Sequence, residues 1–351
     1  MRDRTRCPKV FVAMSGGVDS SVAALMLKQE GYDVTGVFMK NWSETKNDLG
    51  ECAWREEKRD AERVAAQLGI PFLVFDFEEE YRRNVIAYLD REYAAGRTPN
   101  PDIMCNQQIK FGAFYRRAID EGADLIATGH YAQVRDGKLL KAVDQNKDQT
   151  YFLYRIDPTV LRKTLFPIGH LTKPELRKLA KQAGLATAEK KDSQGLCFVG
   201  KIKMHDFLKA RVASKPGKVL NMKGEVIGTH DGAAYYTIGQ RHGLNLGIEK
   251  EQYIVSRNIE ANTITVTDNK FDPALMRSEI ALIDAHWLVP VHDSQKVEAR
   301  IRYREPLTKA EISIKDGATT IIFENPEWAP APGQSVVCYD GEVVLGGGII
   351  K

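Results

Sequence analysis

The sequence predicts an α/β fold: a parallel α/β domain first, then a small β-rich central domain, then a C-terminal β-barrel. Strands and helices alternate from Val10 to about Gly184, which is typical of a parallel sheet covered by helices. Beyond about Lys209 short β-rich runs replace the helical periodicity, and from Glu279 onward longer strands are separated by turn signals. The predicted domains are residues 1–208, 209–275 and 276–351.

The first domain is built from short apolar runs that each precede an amphipathic helix. Val10–Met14 is typical of a strand buried on both faces, and the helix Ser20–Glu30 follows it. A later helix is predicted to begin after Thr172, because Glu175 completes a capping box with it. Gly184 marks the end of this helix. The other predicted strands are Val34–Met39, Phe72–Phe75 and Leu125–Thr128. The other predicted helices are Glu51–Leu68, Glu79–Ala95 and Lys110–Asp120.

The two later domains are predicted from strand length and turns. Asp316-Gly317 and Asp340-Gly341 are turn signals between longer strands, as expected for an antiparallel barrel. Trp287 and Trp328 are expected in the core of that barrel rather than as stacking platforms for RNA bases. The short strands predicted before the barrel are Gly217–Leu220, Glu225–Gly228, Tyr253–Ser256 and Thr263–Val266.

Composition places the chain among ordinary globular proteins. Hydrophobic residues make up 43% and charged residues 28%, which is enough for a sizeable core. The net charge of +3 is too small to indicate nucleic acid, so any polyanion site has to be a local patch. The chain has no apolar run long enough to span a membrane and no signal-peptide pattern, so we expect a cytoplasmic protein without membrane partners.

The cysteines point to chemistry rather than to structural cross-links. Their number is odd, their spacing is wide, and no C-x-x-C occurs, which argues against a structural zinc site or a secreted disulfide framework. We therefore predict no protein metal site. In a reducing compartment, a functional cysteine is more often catalytic. The cysteines are Cys7, Cys52, Cys105, Cys197 and Cys338.

The sharpest motif is Ser15-Gly16-Gly17-Val18-Asp19-Ser20-Ser21, which joins the first strand to the first helix. Paired glycines allow a tight turn whose N–H groups face phosphate oxygens, and the helix N-terminus adds a positive dipole. The serines add hydroxyl donors. The lysine of a Walker A loop is absent, and a lone Gly-Gly would be an ordinary turn. Strand, glycines, serines and an aspartate together favour phosphate binding.

This loop resembles the PP-loop of the ATP pyrophosphatase group, enzymes that cleave ATP to AMP and pyrophosphate while adenylating a carbonyl-type oxygen. The resemblance, not the loop chemistry, implies cleavage between the α- and β-phosphates. It also implies ATP as cosubstrate, with Asp19 and a Mg²⁺ ion at the pyrophosphate end and no dedicated metal site.

Two cysteines lie in polar segments that suit reactive thiols. Cys105 follows Asn100-Pro101-Asp102 in what we expect to be a first helical turn, where the dipole stabilises a thiolate. Asp102 is predicted on the same helix face; its charge opposes the thiolate unless it acts as a base or contacts substrate. Cys197 lies in a loop with Lys190 and Lys191. For Cys105 alone, a small buried hydrophobe is the favoured explanation, and neither cysteine taken singly is good evidence for catalysis.

The order of the motifs resembles the tRNA-specific 2-thiouridylase family from about Val10 to Lys351. The segments that carry the resemblance are Asn100–Cys105, Thr128–Tyr131, Lys147–Leu153, Lys191–Phe198 and Gly346–Ile350. What this implies is ATP-dependent 2-thiolation of the wobble uridine of tRNA by a sulfurtransferase. The partners it implies are tRNA and a persulfide sulfur-donor protein.

The resemblance also implies roles for single residues. Cys105 would be the nucleophile and Cys197 the persulfide carrier, joined in a disulfide during the cycle, with Asp102 as an acid or base. The residues implied to bind ATP are Ala13, Met14, Ser15, Gly16, Gly17, Val18, Asp19, Ser20, Met39 and Gly129. The residues implied to contact tRNA are Asn100, Pro101, Asp102, His130, Lys147, Asp148, Gln149, Arg302, Tyr303 and Gln334.

A strand is predicted at Val297–Arg304, where apolar and arginine residues alternate. Arg300, Arg302 and Arg304 would then lie on one face, about 7 Å apart, as a stripe that could follow RNA phosphates. A solvated face that keeps the barrel soluble explains them equally well. Without their neighbouring motifs, His130 would be a loop-capping histidine and Lys147-Asp148-Gln149 a polar turn.

Two other classes of function compete with thiolation. One is a PP-loop enzyme that adenylates a small carboxylate or nucleotide, which needs neither the cysteine pair nor an RNA surface. The other is a non-catalytic RNA-binding protein that uses nucleotide as a switch. Release of pyrophosphate in the presence of tRNA would separate an enzyme from the switch.

Overall fold

The structure, a computed structural model, forms two compact units, each described by itself below. The residues it describes are 7–44, 52, 54–191, 204–212, 214–244, 246–247 and 250–351. The first unit takes its described residues from 1–85, 102–202 and 342–344. The second unit takes its described residues from 86–101, 203–341 and 345–351. The predicted three-domain division is finer and stays a prediction.

A parallel sheet forms the centre of the first unit, as predicted. Among the described residues it has five strands in the order β3-β2-β1-β4-β7. A short antiparallel hairpin, β5-β6, lies outside it. The strands are β1 (Lys9–Ala13), β2 (Asp33–Lys40), β3 (Phe72–Asp76), β4 (Leu125–Thr128), β5 (Gln133–Arg135), β6 (Lys138–Leu140) and β7 (Thr164–Leu165).

The helices begin and end largely where their caps predict. The capping box of Thr172 and Glu175 is present, and Gly184 follows the helix with a φ of +62°. The helices are α1 (Val18–Gln29), α2 (Trp54–Leu68), α3 (Glu78–Tyr81), α4 (Ala87–Ala94), α5 (Pro101–Cys105), α6 (Phe114–Asp120), α7 (Pro158–Leu161), α8 (Lys173–Gln182) and α9 (Met204–Lys209). Single 3₁₀ turns occur at Thr150–Phe152, Ala233–Tyr235 and Pro273–Leu275.

Two of the predicted helices are interrupted by π-helical turns. Arg82–Ile86 joins α3 to α4, and Asn106–Ala113 joins α5 to α6. The helix predicted to begin at Lys110 therefore begins at Pro101, because the π turn widens the helix without ending it. Such turns are frequent at functional sites, and this one directly follows Cys105.

Small and β-branched residues make the core of the first unit. Val10 and Val12 of β1 are fully buried, and so are Val22 of α1, Val64 of α2 and Leu176 of α8. Burying such side chains contributes about 1.5–3 kcal/mol each. The helices thereby cover the sheet and leave the carboxyl ends of β1, β2 and β4 at one edge. No helix in the described residues is long and apolar enough to cross a membrane.

The second unit begins with α4 and α9 and contains two β structures. The first is a sheet that has four strands among the described residues, in the order β10-β11-β8-β9. Its core includes Val219, Tyr236, Ile254 and Ile264. The strands are β8 (Gly217–Leu220), β9 (Val226–His230), β10 (Tyr253–Asn258) and β11 (Thr263–Thr267).

A closed barrel follows in residues 276–350, all of which the structure describes. Six strands close in the order β12-β15-β14-β13-β16-β17, and β17 pairs with β12. Asp316 and Gly317 both have positive φ and form the two-residue hairpin turn that the sequence predicts. The predicted fold class is confirmed. The strands are β12 (Met276–Trp287), β13 (Gln295–Arg300), β14 (Thr308–Lys315), β15 (Ala318–Trp328), β16 (Ser335–Asp340) and β17 (Val343–Ile350).

The predicted arginine stripe on one strand face is wrong. Strand β13 ends at Arg300, which is buried with its guanidinium 4.8 Å from the ring centroid of Tyr339. Arg304 has a φ of +67°, so the chain turns where alternation predicted a strand. Arg302 donates to the carbonyl oxygens of Trp328 (3.0 Å) and Ala329. Arg302 is thus held by backbone carbonyls instead of lying on a strand face. The alternation of apolar and arginine residues could not reveal these contacts.

We expect Arg302→Ala to destabilise the barrel by about 1–3 kcal/mol, because two backbone acceptors lose a charged donor. Thermal unfolding measures the contribution of Arg302 to the stability of the barrel. Binding of tRNA across a salt series measures any contact of Arg302 with RNA phosphate. Arg302→Lys is the control: it keeps the charge but cannot reproduce the fork, so most of the stability loss should remain. A variant that weakens RNA binding with a flatter salt dependence and unchanged stability would restore the phosphate role.

Candidate active site

The turn between β1 and α1 leaves a helix N-terminus whose N-cap residue has no side chain. Gly17 is that residue, and Val18 begins the helix. Gly16 has a φ of +74°, and a Cβ there would lie 2.2 Å from the carbonyl oxygen of Glu57. Only glycine fits this position without displacing backbone. The first-turn N–H groups and the positive end of the helix dipole are therefore well placed for an anion, as the sequence predicts.

The serine hydroxyls of this loop form hydrogen bonds within the loop itself. Ser20 Oγ accepts the N–H of Ser15 and donates to the carbonyl of Gly17, both at 3.1 Å. Ser21 Oγ donates to the same carbonyl at 2.8 Å and lies 2.9 Å from Thr187 Oγ1. Ser20 and Ser21 thus hold the shape of the loop, whereas Ser15 is exposed. Phosphate binding by these residues stays a prediction.

A lysine that the sequence analysis missed lies beside the loop. Lys173 Nζ donates to Asp19 Oδ1 at 2.6 Å, and the hydroxyl of Tyr131 lies 3.4 Å from the same oxygen. The backbone N–H of Lys173 donates to Asp144 at 2.9 Å. Lys173 is buried, so its ammonium is fixed rather than mobile. The available signal was its place directly after Thr172, at the first position of α8.

The other residues predicted to bind ATP lie at the same edge of the sheet. A Cβ on Gly129, just beyond β4, would lie 2.5 Å from the backbone nitrogen of Ser20, so this turn packs directly on α1. Met39 lies near the end of β2. The carboxyl ends of three adjacent strands therefore meet at the loop, where parallel sheets bind ligands. Buried members of the predicted set are Ala13, Met14, Gly16, Val18, Ser20 and Met39.

Cys105 is fully buried at the end of α5. It lies in the second turn of the helix rather than in the first, since α5 begins at Pro101. Asn100, Pro101 and Asp102 are half-exposed, which leaves them accessible to a substrate. Cys197 lies outside the described residues, as does any pairing with it.

A buried histidine, His130, contacts a half-buried lysine, Lys110, in the π turn that follows Cys105. Burial, with the nearby charge of Lys110, holds the pKa of His130 well below its usual value, so the ring is neutral. Lys110 Nζ lies 3.3 Å from His130 Nε2, and Thr128 Oγ1 lies 2.7 Å from Nδ1. Because an ammonium can only donate, Nε2 accepts and Nδ1–H donates to Thr128. Lys110 carried no motif signal in the sequence.

Comparison with known proteins identifies the family. Family models match residues 8–201 (tRNA methyl transferase HUP domain), 205–268 (tRNA methyl transferase PRC-barrel domain) and 277–350 (aminomethyltransferase β-barrel domain). A tRNA-specific 2-thiouridylase of Alkaliphilus oremlandii is 49% identical over 97% of this chain and 96% of its own. The chain belongs to the tRNA-specific 2-thiouridylase family.

Two further relatives in this family have the same span. Those of Halalkalibacterium halodurans and Streptococcus sanguinis are 47% and 45% identical, each over 97% of this chain and 94% and 95% of their own. Both are named tRNA-specific 2-thiouridylase. The predicted family and the predicted enzyme class, a sulfurtransferase, are confirmed.

In this thiouridylase family member, several residues predicted to contact tRNA hold the fold. Asp148 Oδ1 accepts the N–H of Ala142 (3.2 Å) and lies 2.9 Å from the Thr150 hydroxyl that donates to it. Gln149 exchanges two hydrogen bonds with the backbone of Tyr131, each 2.9 Å. Lys147 and Tyr303 are half-buried. All these tRNA contacts stay predictions.

The described residues offer no metal centre. Within them, no group of three or more His, Cys, Asp or Glu side chains could hold a metal ion. The loop contributes one carboxylate, Asp19. One carboxylate fits a Mg²⁺ ion that is held mainly by phosphate oxygens, which is how Mg²⁺ usually binds in nucleotide sites.

Proposed function

We propose that this protein uses ATP to replace the C2 oxygen of the wobble uridine of tRNA with sulfur, releasing AMP and pyrophosphate. The observation that carries the proposal is identity of 45–49% over 97% of the chain to relatives named tRNA-specific 2-thiouridylase. The family-model descriptions name methyl transfer instead. The whole-chain relatives are more informative, because one similarity of 45–49% identity runs over 97% of the chain, whereas each family model matches a single domain.

The adenylation step is supported by the loop geometry. A pyrimidine C2 oxygen is a poor leaving group, so it has to be activated. The oxygen attacks the α-phosphorus of ATP, pyrophosphate leaves, and the base carries AMP as an ester. The N-terminus of α1 and Lys173 would bind the pyrophosphate, and Asp19 would help to hold a Mg²⁺ ion that accompanies it. That ion, when bound, would neutralise the charge that develops on the leaving pyrophosphate.

The sulfur step requires two cysteines. The terminal sulfur of a persulfide on Cys197 attacks C2 and AMP leaves, so the base is joined to Cys197 through two sulfurs. The Cys105 thiolate attacks the Cys197 sulfur, which releases 2-thiouridine and leaves a Cys105–Cys197 disulfide. A cellular thiol then reduces the disulfide, and a persulfide donor protein reloads Cys197. Asp102 would take or give the proton at the base.

The test is mass spectrometry of nucleosides from tRNA incubated with the protein, ATP and a persulfide source. We expect a uridine heavier by the difference between sulfur and oxygen, formed only with ATP. A product heavier by a methylene, formed with a methyl donor, would instead support methyl transfer. Pyrophosphate release that needs a small carboxylate and no tRNA would instead support a PP-loop enzyme that adenylates a small substrate. Binding of tRNA without either product would support a non-catalytic RNA-binding protein.

A further inference from the structure

The segment Gly96–Asn100 leads directly into the residues assigned to the reaction. Asp102 and Cys105 follow it within a few residues, yet the segment belongs to the second unit and they belong to the first. Thr98 and Pro99 are buried, and Asn100 is half-exposed. The chain is therefore fixed just before the positions that would meet the target base.

Every polar group of Thr98 is engaged within the second unit. Its N–H donates to the carbonyl of Pro332 at 2.7 Å, and its carbonyl accepts from Gln334 Nε2 at 2.7 Å. Its hydroxyl lies 3.3 Å from the hydroxyl of Thr237. These contacts come from segments far apart in the sequence, so they set the position of Thr98 in three dimensions.

A half-buried arginine completes this arrangement. The guanidinium of Arg257, on β10, donates to the carbonyl of Gly96 at 2.7 Å, to the hydroxyl of Thr98 at 3.4 Å and to the carbonyl of Tyr236. Burial lowers the pKa of Arg257 to about 10, so it remains charged at neutral pH. Each of these acceptors is neutral. Taking a charge even partly out of water against neutral oxygens is costly, so the arrangement is not explained by stability alone.

The segment is also held where it leaves α4. Arg97 forms a two-pronged pair with the buried Glu92, at 2.5 and 3.0 Å. The N–H of Arg97 donates to the carbonyl of the same glutamate at 2.8 Å. The hydrogen bonds of Arg97 hold the pKa of Glu92 below its usual value, so the pair is charged at neutral pH. Both ends of Gly96–Pro99 are thereby determined by the second unit.

We propose that Arg257 and Gln334 are positioning residues, which fix Thr98 and through it place Asn100 and Pro101, of the same unit, for the target base. The inference rests on the proposed function. It also gives Gln334 a different task from the predicted RNA contact: its amide acts on the Thr98 carbonyl.

The test compares Arg257→Met and Gln334→Leu with wild type in three measurements on the full chain. We expect kcat for thiolation to fall about 10- to 100-fold, because a small misplacement of reacting groups is enough. The Kd for tRNA should stay unchanged, and the amide hydrogens of residues 96–98 should exchange faster. Arg277→Met is the matched control, since Arg277 also donates to backbone carbonyls, those of Pro273 and Met276, without touching the segment.

Each outcome decides between positioning and another role. A raised Kd with normal kcat, or full recovery by Arg257→Lys, would overturn the proposal in favour of phosphate contact, because a single ammonium cannot replace the fork of bonds. Unchanged amide exchange at residues 96–98 would also overturn it. If Arg257→Met does not fold, Gln334→Leu decides by the same criteria. If wild type makes no thiouridine, the proposed function fails, while the exchange measurement still tests the anchoring.

Discussion

Replacing Cys197 with serine should abolish formation of a protein persulfide and reduce thiolation of tRNA by about 10³-fold or more, because no sulfur can be loaded. Replacing Cys105 with serine should reduce thiolation by a similar factor, because sulfur can be loaded but not released to the tRNA. ATP-dependent adenylation should survive in both variants, since attack by the base oxygen on ATP needs neither thiol. Pyrophosphate release and nucleoside mass spectrometry on the same samples separate these steps.

Cys338 provides the matched control for Cys105. Both are fully buried, but Cys338 lies in strand β16 of the barrel, outside the segments assigned to the reaction, and burial raises the pKa of its thiol to about 12. Cys338→Ala should therefore thiolate tRNA normally. A double Cys105/Cys197 serine variant that still makes 2-thiouridine at the wild-type rate would contradict the cysteine mechanism and favour the small-substrate alternative.

The burial of Cys105 adds an expectation of its own. In reduced protein without tRNA, a maleimide should label the exposed Cys7 first and should label Cys105 as slowly as Cys338. Peptide mapping after short exposures measures this. Rapid labelling of Cys105 would mean that the thiol is reached without any rearrangement by substrate.

The fold could be predicted because its signals are local and periodic. Strand β4 begins and ends where the apolar run does, and the barrel hairpin turns where Asp316-Gly317 predicts it. The π turn at Asn106–Ala113 could not be predicted, because α and π turns present nearly the same apolar pattern. The arginine alternation failed for a related reason. Period alone does not show that the carbonyls of Trp328 and Ala329 capture Arg302 and that β13 ends before it.

Only those site residues that belong to contiguous sequence motifs could be predicted. The loop Ser15–Asp19 is contiguous, so its residues could be named from the sequence, and the structure places them at a helix N-terminus. Lys173 lies 154 residues from Asp19, and Arg257 lies 161 residues from Gly96. Both become significant only when the fold brings them to their partners. Long-range polar contacts of this kind carry no periodic signal in the sequence.

Lys173→Met should reduce ATP-dependent pyrophosphate release by about 10²-fold, the usual effect of removing one fixed group that stabilises developing negative charge. The lysine is buried, its backbone is held by Asp144, and its ammonium lies 2.6 Å from Asp19 at the loop. It would stabilise the leaving pyrophosphate without having to be ordered during the reaction. Methionine keeps the length and apolar stem of the side chain, so α8 should remain packed.

Lys181→Met is the control, because Lys181 lies on the same helix but is exposed and pairs with Glu189 at the surface. It should release pyrophosphate at the wild-type rate. Asp19→Asn separates two roles of the ion pair. If Asp19 only neutralises Lys173, the asparagine variant should retain most activity; if it also binds Mg²⁺, activity should fall and recover partly at high Mg²⁺. Normal pyrophosphate release by Lys173→Met would show that Lys173 has a structural role alone, and the N-terminus of α1 would then bind the phosphates without it.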